Sequence, residues 1–126
     1  VFHQLDNVSN NEIIRAGMES IGYLVNDIIK VMPLQECPDI IPASGGGARK
    51  PLLQFISDIT GNSIGHSSMK DRTAFGVFSL LKKATGEPIV KEMVECDQLF
   101  TPKMDNEYRQ EKLGQWNSAL KAAEIL

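Results

Sequence analysis

Three consecutive glycines, Gly45, Gly46 and Gly47, separate a β-prone run (Asp39, Ile40, Ile41, Pro42, Ala43) from a stretch whose apolar residues fall at helical spacing. Glycine reaches backbone angles closed to other residues, so the chain can turn sharply here. Past the turn, Pro51 suits the first turn of a helix, where the N–H it lacks would have had no partner. Leu52, Phe55, Ile56 and Ile59 follow at i, i+3, i+4 and i+7, and Gly61 suits the left-handed residue that ends a helix. A second β-prone run spans residues 62–67. Two strands joined by one helix run parallel with a right-handed crossover, and ligands of such units gather beyond the carboxyl ends of the strands. The glycine turn lies at such an end.

Around this unit the periodicity predicts three more helices. Over residues 11–32, Ile14, Met18, Ile21, Val25, Ile28 and Met32 alternate in steps of four and three, and Ile13, Gly17, Leu24 and Val31 form a second row beside them. A helix with so wide an apolar face is expected to be internal, capped by Ser9 or Asn10 and followed by Pro33. Asp71 starts another helix, carrying Ala74, Val77, Phe78 and Leu81 and closing near Gly86. Residues 87–102 read as a polar connector, and a last helix from about Asp105 has Tyr108, Leu113, Trp116, Leu120 and Ala123 as its buried side. The expected fold is α/β, with two short parallel strands and about four helices.

Bulk properties narrow the function classes. A chain of 126 residues can form one domain with a modest core. Its net charge of −3 is spread without blocks of one sign, which gives no footprint for a nucleic-acid backbone. No apolar run approaches the ~20 residues that cross a bilayer, so no membrane role is expected. Cys37 and Cys96 lie far apart without CxxC spacing or histidine companions, which argues against a zinc site or a disulfide framework and for a reducing cytoplasm. The chain begins at Val1 and enters a helix within about ten residues, so it reads as a piece of something longer, without a signal or transit segment.

Exposed amides at a strand-to-helix turn, next to the positive end of the helix, attract phosphate. Residues 44–50 therefore read as a phosphate or nucleotide contact, and equally as a plain tight turn. The segment is not the ATPase P-loop, because GxxxxGK[ST] is absent and Pro51 follows Lys50. It is not the dinucleotide fingerprint either, because Lys50 stands at the third glycine position. Arg49 and Lys50 suit an anion or are simply solvated. Among catalytic candidates, His3 and His66 are lone residues, and Ser44, Ser67 and Ser68 lack a nucleophile elbow and a base. Asp58 and Asp71 read as helix-surface and cap residues.

The order of motifs resembles the C-terminal part of the FGGY carbohydrate kinases. Glu12-Ile13-Ile14-Arg15-Ala16-Gly17-Met18-Glu19 is similar to the RAxxE helix of that family's second signature. Ser44-Gly45-Gly46-Gly47-Ala48 with the helix from Leu52 to Gly61 looks like its adenosine loop and "QxxADxxG" helix, and Thr73-Ala74-Phe75-Gly76 looks like its "TAxGAA" helix. Phe100, Pro102, Tyr108 and Trp116 resemble the "FxP…Y…W" tail, which together with residues 53–59 leans toward the glycerol kinases of the family.

The resemblance implies an actin-like, ribonuclease H-like fold, with residues 1–126 forming the second half of the C-terminal nucleotide-binding domain. It implies ATP as cofactor, with Mg2+ in the full-length enzyme, and a sugar or polyol as substrate. Gly45, Gly46 and Gly47 carry over as main-chain contacts to the α-phosphate and ribose, with Ala48 and Lys50 beside them. Where glycerol kinases usually present an asparagine toward adenine, this chain has Arg49-Lys50 and is about one residue shorter. Gly17, Val77 and Phe78 also depart from the family pattern. No DxGT motif occurs, so the catalytic aspartate and the sugar contacts are expected in a missing N-terminal domain, and the segment alone is expected to be inactive. An unpaired strand edge is expected to favour dimers. Two other readings compete: a non-catalytic regulatory domain of actin-like architecture, and a Rossmann-type NAD module.

Overall fold

Helix α1 (Asn10–Val31) begins at Ser9, whose hydroxyl accepts the Glu12 N–H while the Glu12 carboxylate accepts the Ser9 N–H. This reciprocal capping box satisfies two donors at once. The computed structural model describes residues 7–33, 39–69, 71–88 and 96–123. After α1 come β1 (Ile40–Ala43), α2 (Lys50–Thr60), β2 (Ser63–His66), α3 (Arg72–Thr85), β3 (Gln98–Phe100) and α4 (Asn106–Ala122). Gly61 and Gly86, both at φ 76°, end α2 and α3 in the left-handed conformation expected of them.

β1 and β2 pair in parallel, with Ile41 opposite Ile64, as the strand–helix–strand pattern predicts. The expected count of two strands is corrected to three. β3 pairs antiparallel with β2, Phe100 opposite Ile64, where a polar connector was expected. Gln98-Leu99-Phe100 is too short to show a period, and its strand character comes from the edge of β2. Among the described residues the sheet order β1-β2-β3 leaves the outer edge of β1 open.

α2 lies across one face of this sheet. Leu53 and Ile56 pack on Ile64 and Phe100, with Val25, Ile41, Ala43, Ala48 and Leu52 around them. On its other side Phe55 and Ile59 meet Leu113 of α4, with Tyr23 and Met104 at the margin. The Trp116 indole stacks on Tyr23 with centroids 5.0 Å apart and donates to Asp27 Oδ2 at 2.8 Å, fastening α4 to α1. Asp58, expected on the helix surface, instead anchors the entry to α4. Its Oδ1 accepts from the backbone N–H of Lys103 (2.7 Å) and Met104 (3.3 Å), and the Arg109 guanidinium donates to its carbonyl. Ser57 is fully buried, and its hydroxyl lies 2.8 Å from the Asn62 carbonyl and 3.1 Å from that of Phe100. Ser57→Ala should therefore lower stability by about 1 kcal/mol, read as a reduced urea midpoint at unchanged slope.

Two expectations about buried faces are corrected. On α1 the contact side runs through Gly22 and Asn26, while Ile14, Ile21, Leu24, Ile28 and Val31 are exposed. α3 has no buried residue, and Val77, Phe78, Leu80 and Leu81 are all exposed. Apolar spacing marks a face that seeks cover, and no described element covers these two. On α4, Leu113 is buried as expected, whereas Tyr108 is half exposed.

Candidate functional site

The chain leaves β1 at Ala43 and folds into a tight turn. Gly45 adopts φ +100°, its carbonyl accepts the Ala48 N–H at 3.1 Å, and the Gly47 carbonyl accepts the Arg49 N–H at 2.8 Å. Gly45, Gly46 and Gly47 are exposed, and a Cβ added at any of them would meet nothing within 4 Å. The main chain is thus approachable from solvent along the whole turn. α2 starts directly behind it, with Arg49 as N-cap, no side-chain cap, Pro51 in the first turn and no acidic residue there. The positive end of the helix is left without a neutralising side chain. Of the other expected contacts, Lys50 is exposed at the first position of α2, and Ala48 is half-buried against the Leu53 cluster. The flanking strands are parallel, as the sequence predicts, and the glycines are exposed and not used in packing.

The same end of the sheet carries a second loop. The Ser67 N–H donates to the Ala43 carbonyl at 3.0 Å, so the β2–α3 loop starts beside the glycine turn. β3 runs antiparallel, which brings Asp97 to this end, where its carboxylate accepts the Ser68 N–H. Hydrogen bonding from the Ser68 side chain and then from its N–H, with His66 and Arg72 nearby, holds the Asp97 carboxyl below the usual carboxylate range. Asp97 binds its proton more weakly when folded, so its contribution is complete above the unfolded value of about 3.9 and fades as pH falls through the folded one. A pH titration followed by NMR should show the Ser68 amide losing its downfield position only below that range. Arg72 Nε is buried without a hydrogen-bond partner among the described residues.

Sequence reasoning missed Asp97 and Arg72, because neither belongs to a local motif. Asp71 takes the N-cap position of α3 as expected, but its side chain makes no cap hydrogen bond. Ser67 is buried, and His66 lies on β2 with its carbonyl accepting the Asp97 N–H at 2.8 Å. Cys96 is a free, exposed thiol. His3, Cys37 and residues 89–95 of the connector lie outside the described residues. Among the described residues no group of three or more His, Cys, Asp or Glu is placed to hold a metal ion, and no helix is long and apolar enough to cross a membrane.

No family model matches the chain. The glycerol kinase of Streptococcus uberis is 35% identical to it over 133 residues, covering 99% of this chain and 26% of that protein. The glycerol kinase of Streptococcus pyogenes serotype M6 is 34% identical over the same length and shares. Among solved structures, Plasmodium falciparum glycerol kinase with ADP superposes with a TM-score of 0.78 at 28% identity, over 96% of this chain and 26% of that one. The chain is a homologue of the C-terminal part of glycerol kinases. A ligand-bound xylulose kinase from Lactobacillus acidophilus shares the fold at TM-score 0.70 with 18% identity. The fold is therefore a part of the actin-like ATPase architecture, and this glycerol kinase homologue spans about a quarter of the length of the relatives it matches.

Proposed function

We propose that this chain is the adenosine-side part of an ATP-dependent kinase that phosphorylates a hydroxyl of a polyol or sugar. In this reading residues 1–126 are the second half of the C-terminal nucleotide-binding domain, working in the cytoplasm beside an N-terminal domain. The observation that carries it is the bare glycine turn at the carboxyl end of a parallel strand pair, opening into the uncapped start of α2. Support comes from the likeness, over 96% of the chain, to a glycerol kinase solved with ADP.

The residues present fit such a nucleotide. Gly45, Gly46 and Gly47 offer main chain that an α-phosphate and ribose can approach, and Lys50 adds a positive charge at the same helix end. Ala48 serves differently: its methyl packs into the core and fixes the turn from below. ATP supplies the transferable phosphoryl group, and Mg2+ the charge neutralisation for it. In this reading the Mg2+ ligands, the base and the substrate contacts belong to the N-terminal portion, and the chain alone is inactive.

Calorimetric titration of the chain with ADP, NAD and inorganic phosphate tests the proposal. ADP should bind weakly, near about 1 mM, because only one wall of the cleft is present. NAD binding that equals or exceeds ADP, or no heat with ADP at tenfold higher concentration, would overturn it.

A further inference from the structure

The glycine turn is fastened at its two ends. On one side Ala48 packs into the Leu53 cluster, and on the other the Ala43 carbonyl accepts the Ser67 N–H at 3.0 Å. Between these points lie three exposed glycines, the residue type with the most backbone freedom to lose. A ligand that binds their amides must hold them still, so whatever fixes the ends of the turn in advance raises affinity.

Ser67 is itself held in place. It is buried, its hydroxyl oxygen accepts the Met69 N–H at 3.4 Å, and the N–H of Ser68 donates to the Asp97 carboxylate. Asp97 is fixed in turn by its own N–H, which donates to the His66 carbonyl at 2.8 Å. The loop after β2 is thus clipped to β3 on one side and to β1 on the other. From Asp97 to the glycine turn the path crosses two hydrogen bonds, Ser68 to Asp97 and Ser67 to Ala43.

The sign of the charge narrows the role. Asp97 is exposed, and its carboxyl is held below the usual carboxylate range, so it is anionic at neutral pH. A carboxylate at the end of the sheet where phosphate would bind repels that phosphate. As a direct contact it would weaken binding, whereas as a clip on the neighbouring loop it strengthens it.

We propose that Asp97 is a positioning residue for nucleotide binding: by clipping the Ser67–Ser68 loop to β3 it fixes the exit of β1 and presets the amides of Gly45, Gly46 and Gly47 for phosphate. The choice of ligand rests on the nucleotide reading above. The route from Asp97 to the turn rests on the hydrogen bonds themselves.

Asp97→Ala and Asp97→Asn, compared with the parent chain by ADP titration, urea unfolding and amide-resolved NMR, test this. Asp97→Ala should move the amide resonances of Gly45, Gly46 and Gly47 in the ligand-free chain and weaken ADP binding about fivefold. Asp97→Asn keeps an oxygen for the Ser68 N–H, and should restore most of that loss although the charge is gone. A role confined to stability predicts a lower urea midpoint with ADP affinity intact, and a direct electrostatic role predicts tighter ADP binding in both variants. Either result overturns the proposal, as does an Asp97→Ala chain that no longer folds or whose glycine resonances stay in place. If the parent chain binds ADP and both variants bind it equally well, the role of Asp97 alone falls. If the parent binds no ADP, the nucleotide reading falls and this role falls with it.

Discussion

Gly22→Leu should lower the stability of this chain by about 4 kcal/mol. A Cβ at Gly22 would stand 2.5 Å from Phe55 Cδ1 and 2.7 Å from Cε1, inside the contact on which α1 crosses α2. The Phe55 ring is 8% exposed and held edge-on against Tyr23 with centroids 5.4 Å apart, so it has little room to move aside. Alanine at this position would gain about 1 kcal/mol of helix propensity, which only partly offsets an overpacking term of about 1–3 kcal/mol. Leucine adds three more carbons to the clash, and a loss of about 4 kcal/mol is a large share of the roughly 5–15 kcal/mol that holds a small domain together. Urea unfolding followed by Trp116 fluorescence measures this. A Phe55→Leu change should recover part of the loss from Gly22→Ala but not from a distant core change such as Ile64→Ala.

Gly46→Val is expected to do the reverse: leave the fold alone and remove the ligand. Gly46 and Gly47 have ordinary φ values, and a Cβ there meets no protein atom within 4 Å. Stability should stay within about 0.5 kcal/mol of the parent chain. The same branched side chain would fill the space through which a phosphate reaches the main chain, and ADP affinity should fall about 100-fold, equivalent to roughly 3 kcal/mol. Gly45→Val differs because Gly45 sits at φ +100°, so it should lose stability and affinity together. Thermal unfolding and ADP titration on the two variants separate a ligand-binding turn from a merely structural one.

Much of the chain was legible because its signals are local. Ser9, one of the two caps offered for α1, Pro51 with Gly61, and Gly86 after α3 each mark a helix end through near neighbours, and all stand where the residues predict. The parallel pairing of β1 and β2 followed from one helix lying between two short β-prone runs. What was not legible is set by partners far along the chain. β3 exists because β2 offers it an edge, and Asp58 is an anchor because residues 103 and 104 pass over it. Gly22 reads as a neutral helix residue until Phe55 is seen beneath it. The exposed stripes of α1 and α3 mislead for the opposite reason, since their periodicity reports burial against surfaces that no described element provides. At the candidate site the glycine turn was read from sequence, whereas Asp97 and Arg72 reach the same end of the sheet only through topology.

Amide-resolved NMR of the 126-residue chain during titration with ADP tests the nucleotide claim most directly. The largest shift changes should fall on Gly45, Gly46, Gly47 and the first turn of α2, and Gly46→Val should erase them while the rest of the spectrum stays in place. Shift changes centred on the exposed face of α1, or none at the glycines when ADP is in excess, would contradict it.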